Sequence, residues 1–285
     1  TLLLELDMHK TIFIIALLTT KLATAQENLV LNASFEEYTD LPKTSIADGI
    51  SFAKNWFVPD ESSPDYFHVN APFYFLQVPN TELGFHPAHT GDAYIGLYPL
   101  NYDGYMEHYT GTLKKELKKG KVYHVSFFIR YGGASCRFAT KSIGVYFSKT
   151  KNPFKTWSPP YYYEILEPKI TASVQSNKDS ILLNDTAWVE ITGNYKANGD
   201  EKYITLGKFY DDEITGRLLK KYTEVQFNER EKEKYYKKHT DIFPINPHYK
   251  KNPLFPVEAA YYFIDDVSVT SESDVELDFT YPINK

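Results

Sequence analysis

The stretch Lys121–Tyr131, KVYHVSFFIRY, decides the fold. Tyr123, Val125, Phe127 and Ile129 recur at every second position, with His124, Ser126, Phe128 and Arg130 between them. Side chains alternate faces along a strand, so one face of this segment is apolar and the other is mostly polar. That is a half-buried β-strand; a helix would space its apolar residues by three and four. The same period recurs along the chain. Ile143, Val145 and Phe147 share a face in Ser142–Ser148, Val189 and Ile191 in Ala187–Tyr195, and Ile204 and Leu206 in Tyr203–Phe209. Gly132-Gly133, Asn152-Pro153, Pro159-Pro160 and Asn198-Gly199-Asp200 separate these runs. The last reads as a hairpin turn, because Asn-Gly accepts positive φ cheaply.

No long segment keeps a clean helical period. Glu224–His239 is dominated by charge and reads as a solvated helix or an excursion, and 240–257, with Pro244, Pro247, Pro253 and Pro256, reads as loop. The expected architecture is all-β: one sandwich over 26–285 with long loops and a charged, proline-rich excursion at about 224–257.

Bulk numbers narrow the function classes. Of 285 residues, 16% are aromatic, including 24 Tyr and 19 Phe, which suits strands and aromatic binding surfaces. The net charge of -6 argues against a nucleic-acid binder. The pairs Lys114-Lys115 and Lys118-Lys119 are interrupted by Glu116 and read as a solvated face. Residues 8–25 read as a secretory signal: Met8-His9-Lys10, the apolar run Thr11–Leu18, and the small-x-small site Ala23-Thr24-Ala25. Residues 1–7 are then expected to precede the true start. The apolar run is shorter than a membrane span, which needs about 20 residues. The expected location is secreted: extracellular, cell-surface or periplasmic. Past the signal the chain has one cysteine, Cys136, expected to be a buried apolar residue; core burial rather than a disulfide must hold the fold.

Candidate chemistry is sparse. In YYFIDDVSV (Tyr261–Val269), strict alternation puts Asp265 with Phe263, Val267 and Val269 on the inward face. An inward carboxylate costs several kcal/mol unless it is neutralised or paired. Asp265 therefore needs a cation, backbone N–H donors, or a buried Arg or Lys; Asp266 faces solvent or bonds a loop. His86 and His89 flank Pro87 and read as turn or surface histidines. Asp211-Asp212-Glu213 offers a carboxylate pair for acid–base hydrolysis of a glycoside, and it also suits a solvated turn. No G-x-S-x-G, H-E-x-x-H, P-loop or dinucleotide fingerprint occurs. Trp157, Tyr161, Tyr162 and Tyr163 lie in a Pro-Pro loop, KTWSPPYYYEI, and are the candidate ligand-binding residues, since aromatic rings stack on sugar faces. A second aromatic-rich loop is expected at Pro64–Phe75.

The two ends of the chain carry a resemblance. NLVLNASFEE (Asn28–Glu37) paired with YYFIDDVSV resembles the jelly-roll sandwiches of the galactose-binding-like superfamily, to which many carbohydrate-binding modules belong. AKNWF (Ala53–Phe57), HTGDAYIGLY (His89–Tyr98) and AWVEITGNYKANGDEKYITLGKF (Ala187–Phe209) narrow it. Together they resemble secreted sandwich domains of Gram-negative envelope proteins, often found ahead of an OmpA-type peptidoglycan-binding domain. The resemblance covers about 28–270, and the remainder after Val269 matches no such following domain. It implies a structural calcium tying the first strand to the last, with Glu36, Asp265 and Asp92 as candidate ligands and carbonyls of His89–Asp92 completing the shell. Calcium takes six to eight oxygens, which mixes carboxylates with carbonyls. The expected function is a secreted, non-catalytic module that binds carbohydrate or an envelope glycan. A surface protein that binds another protein, and a glycoside hydrolase, are the alternatives; no membrane span is expected and no oligomeric state is implied.

Overall fold

The computed structural model describes residues 26–44, 52–60, 62–81, 83–101, 106–132, 136, 139–140, 142–153, 155–157, 165–167, 170–176, 184–209 and 259–271. The expected signal, the 224–257 excursion, Tyr161–Tyr163 and Asp211–Glu213 lie outside them.

The strands are β1 Trp56–Phe57, β2 Asp65–His68, β3 Asn80–Thr81, β4 Gly84–Phe85, β5 Ala93–Asn101, β6 Tyr109–Thr112 and β7 Val122–Tyr131. They continue with β8 Gly144–Ser148, β9 Lys155–Trp157, β10 Ile165–Glu167, β11 Val174–Gln175, β12 Val189–Lys196, β13 Tyr203–Gly207 and β14 Ala259–Ser271. Two five-stranded sheets form, in the orders β1-β6-β13-β8-β11 and β12-β7-β14-β5-β2, and every pairing within them is antiparallel. Their facing residues make one core: Tyr123, Val125, Phe127 and Ile129 of β7 meet Val145 and Phe147 of β8 and Ile204 and Leu206 of β13. Phe147 stacks on Tyr195 of the opposite sheet at 4.5 Å. The fold is a β-sandwich, and each of these side chains contributes about 1.5–3 kcal/mol by leaving water. Cys136 lies buried and free, and burial pushes its thiol up to about 12.

Three sequence readings change. The Asn198-Gly199-Asp200 turn is not a hairpin. β12 pairs with β7 in one sheet and β13 pairs with β6 and β8 in the other, so the turn carries the chain across the end of the sandwich. Its positive φ values, 103° at Gly199 and 67° at Asp200, are those expected. Buried Glu201 fixes the crossing by accepting the N–H groups of Asn198 and Gly199 at 2.7 and 2.9 Å. A hairpin and a crossing make the same local demand on the turn; only the partners of the flanking strands separate them.

Pro64–Phe75 is not an open aromatic loop. A third of it, Asp65–His68, is β2, and Tyr66 and Phe67 are buried. The segment after it, 69–92, folds over the outer face of the β14-β5-β2 half-sheet. There Phe67, Tyr94, Phe263 and His86 pack ring against ring at 4.5–5.3 Å. His86 is therefore no surface histidine. Burial, aided by the charge of Arg130, pushes its imidazole down to about 3, and the neutral ring fits its apolar pocket.

The third change concerns β14. Asp265 pairs with Phe128, yet Ser268, not residue 267, pairs with Ser126. A β-bulge inserts one residue, with Asp266 at φ 48°. The bulge breaks the alternation. Phe263 and Asp265 face the outer side, under the 69–92 cover, while Val269, paired with Val125, faces the inter-sheet core. Asp265 is buried all the same.

Candidate functional site

Two features sit side by side on the outer face of the β12-β7-β14-β5-β2 sheet: a carboxylate seam and an aromatic ledge.

The seam joins both ends of the described chain to residues 89–93. Asp265 accepts the N–H groups of His89 at 3.0 Å and Thr90 at 3.2 Å through Oδ2, and that of Asp266 at 2.7 Å through Oδ1. Asp266, turned outward by the bulge, accepts the hydroxyls of Ser34 and of Thr90, the latter at 2.7 Å, and the His89 Nδ1–H at 2.5 Å. Glu36 accepts the N–H of Asp92 at 3.1 Å and that of Ala93 at 3.2 Å. A Cβ on Gly91 would stand 2.3 Å from Glu36 Oε1, and Gly91 has φ 63°, so only glycine lets this loop close on Glu36. The side chain of Asp92 is exposed, and its N–H, not its carboxylate, meets Glu36.

These acids are crowded. Burial and then the adjacent Asp266 charge push the Asp265 carboxyl up to about 8, against three N–H bonds that favour its ionised form. Glu36 is raised by burial and by the charges of Asp92 and Asp266. For Asp266, burial acts upward, but its bonds from Ser34, His89 and Thr90 prevail and hold it below the usual carboxylate range. Among the described residues no Lys or Arg pairs with Glu36, Asp265 or Asp266. Also among them, no three His, Cys, Asp or Glu side chains converge to hold a metal alone. An ion at the seam would therefore need hydroxyl and carbonyl oxygens beside Glu36 and the aspartates. Such a hard, all-oxygen set suits calcium and no softer metal.

The ledge begins where the 69–92 cover stops. His89 stacks on Phe128 with centroids 3.8 Å apart, and Trp188 meets His89 edge-on at 6.0 Å and Tyr94 at 5.7 Å. The Trp188 indole N–H donates to the Pro87 carbonyl at 3.1 Å, which fixes the ring. Arg130 ties the ledge to its surroundings, donating to the carbonyls of Asp185 at 2.8 Å and Phe85 at 3.3 Å. Phe85 is 42% exposed. Beyond Phe128 the sheet face is open and polar. His124 bridges Asn194 and Thr192 at 3.2 and 3.1 Å, and Glu190 stands exposed across from Phe128.

The sequence pointed to Trp157 instead. It ends β9, opposite Ile165 of β10, and its partners Tyr161–Tyr163 lie outside the described residues. Trp188 carries no local signal in the sequence, because its ring neighbours His89 and Tyr94 come from a distant segment of the chain. One polar constellation looks catalytic: Asp60, His108 and Ser62. Its parts are miswired for a nucleophile. The His108 Nε2–H donates to the Lys208 carbonyl at 2.9 Å, and the Ser62 hydroxyl bonds Asp60 rather than the ring. All three are sealed from solvent.

No protein-family model matches the chain, and no curated protein matches it. Solved structures with a similar course include the CBM22-1 xylan-binding domain of Xyn10C from Paenibacillus barcinonensis, 12% identical, covering 87% of this chain and 97% of that one at a TM-score of 0.37. The CBM22-1–GH10 modules of xylanase 10B from Clostridium thermocellum are 13% identical, over 87% of this chain and 30% of that one, at 0.35. The K3 cleaved adhesin domain of Lys-gingipain from Porphyromonas gingivalis is 11% identical, over 85% and 98%, at 0.32. None of these three is an OmpA-type envelope protein. No helix among the described residues is long and apolar enough to cross a membrane.

Proposed function

We propose that the protein is a secreted, non-catalytic module that binds a neutral carbohydrate or envelope glycan on the Trp188 ledge. The observation that carries this reading is the pairing of fixed, half-exposed rings (Trp188, Phe128, His89) with an open row of polar side chains (His124, Thr192, Asn194, Glu190) on one rigid sheet face. A sugar presents both an apolar ring face and hydroxyls that donate and accept, and this surface answers both. Trp157 with Tyr161–Tyr163 is a second aromatic candidate within the same reading. A structural calcium belongs to it as well, held by Glu36 and Asp265 with oxygens of the 89–92 segment, where it would neutralise the crowded carboxylates.

A glycan array followed by affinity electrophoresis tests the ledge. Trp188→Ala is expected to weaken retention of the best glycan at least tenfold, in line with the roughly 1.5 kcal/mol or more that a ring contact contributes. Trp157→Ala run beside it assigns the ring that matters. If the parent chain retains no glycan, or retains a protein ligand only, the carbohydrate reading fails. Turnover of the bound glycan would instead make the protein a hydrolase.

A further inference from the structure

Folding gathers charge that the sequence spreads over more than eighty residues. The loops 113–121, 149–152 and 196–202 close the same end of the sandwich. Leu113 and Leu117 donate their N–H groups to the carbonyls of Lys202 and Glu201 at 2.9 and 3.0 Å, Gly120 to Ala197 at 2.8 Å, and Lys202 to Ser148 at 2.9 Å. Lys114–Lys121 alone carries five lysines and one glutamate, and Lys149, Lys151, Lys196 and Lys202 join them. Among the described residues the acids at this end, Glu27, Glu116 and Asp200, are each paired with one or two of these lysines. Glu201 is buried in the turn. A strongly positive cap thus stands on a chain whose net charge is -6.

Beside the cap, on the outer face of the other sheet, are two rings. Phe57 pairs with Thr110, and Tyr203 with Thr112 and Ser148. The rings meet edge to face at 5.9 Å, and Lys151 Nζ sits 4.1 Å from the Phe57 centroid. Both are half-buried.

We infer that this end is a second binding surface, distinct from the Trp188 ledge, that takes an acidic polysaccharide bearing carboxylates along its chain. Lysine ammonium groups on flexible stems accept carboxylates from many directions, which suits a polymer of repeated charge better than one fixed anion. The rings beside them offer faces to the sugar units. A lipid surface is disfavoured. It would be met by protruding apolar side chains, and the large hydrophobic residues exposed among the described ones, Tyr38 and Phe85, belong to other segments.

Affinity electrophoresis and titration calorimetry with polygalacturonate, with neutral dextran as control, test this inference. The parent chain is expected to bind polygalacturonate and not dextran, with at least tenfold weaker binding at 300 mM than at 30 mM salt. Lys118→Glu/Lys119→Glu/Lys151→Glu should lower affinity at least tenfold. Lys43→Glu/Lys54→Glu, a charge change of the same kind elsewhere, should leave it within twofold, and so should Trp188→Ala, which separates this surface from the ledge. Lys118→Gln/Lys119→Gln, a gentler change, guards against a folding defect and should weaken binding at least threefold. Equal losses at both lysine sets overturn the inference, as does equal or tighter binding to anionic vesicles or duplex DNA. The acidic stretch 272–278 follows Ser271, which pairs with Tyr123 near this end. If the parent fails to bind while a chain ending at Ser271 binds, that stretch is the cap's partner and the inference falls.

Discussion

Asp265→Ala is expected to lower the melting temperature by about 4–16 °C. The carboxylate gathers three N–H groups, those of His89, Thr90 and Asp266, into one buried point. Removing it strands those donors and loosens the loop from β14, at a cost of about 2–4 kcal/mol. At roughly 2–4 °C per kcal/mol for a chain of this size, that range follows. The parent chain should also show a pH slope, measured in chelator. The Asp265 carboxyl is raised to about 8 in the fold, against an ordinary 3.8 in the unfolded chain. Between those values the folded state holds a proton that the unfolded state has released. This group's contribution is therefore complete below about pH 4 and is lost as pH rises to about 8. Asp265→Asn should flatten that slope.

Calcium acts in the opposite sense, because it binds the ionised carboxylate, so its effect should grow as pH rises. With the ion at about a hundred times its dissociation constant, roughly 2.7 kcal/mol is added. That is about 5–11 °C at pH 8. Glu36→Gln should remove the gain. Identical melting curves at pH 8 in millimolar calcium and in chelator would reject the ion and leave the seam as a hydrogen-bonded clasp.

Asp60→Ala should be at least as damaging, at about 3–5 kcal/mol, or roughly 6–20 °C in melting temperature. His108 Nδ1 lies 2.9 Å from Asp60 Oδ2, and Nε2 lies 2.9 Å from the Lys208 carbonyl oxygen. The carbonyl can only accept, so Nε2 carries a hydrogen, and Nδ1 shares a second hydrogen bond with the Asp60 carboxyl. The pair is fully shielded, and removing the carboxyl leaves a buried ring nitrogen without its hydrogen-bond partner. Ser62, whose N–H donates to Asp60 Oδ1 at 3.0 Å, loses its anchor too. Asp60→Asn keeps the shape and removes the charge. It should fall between parent and alanine, and a melting curve equal to the parent's would show that the charge contributes nothing.

Gly207 explains why the imidazole fits there. A Cβ on it would lie 2.4 Å from His108 Cδ2, and its φ is 152°. The glycine gives no hint of this in the sequence, because its reason is a ring ninety-nine residues earlier, just ahead of β6.

What the sequence determined by itself was local. Tyr123, Val125, Phe127 and Ile129 announced a strand and its buried face, because alternation is a property of one chain segment and burial follows it. Asn198-Gly199-Asp200 announced positive φ for the same reason. Asp265 announced a carboxylate that needs partners, since its burial cost does not depend on what they are. The tertiary structure alone decided the rest. It made the 198–200 turn a crossing between sheets, because pairing depends on edges that distant strands leave free. It placed Asp265 on the outer face, because one extra residue in β14 reverses every side chain beyond it. It brought Trp188, His89 and Phe128 into one ledge and scattered lysines into one cap, because β-sandwich contacts join residues far apart in sequence, and no local pattern records which of them will meet.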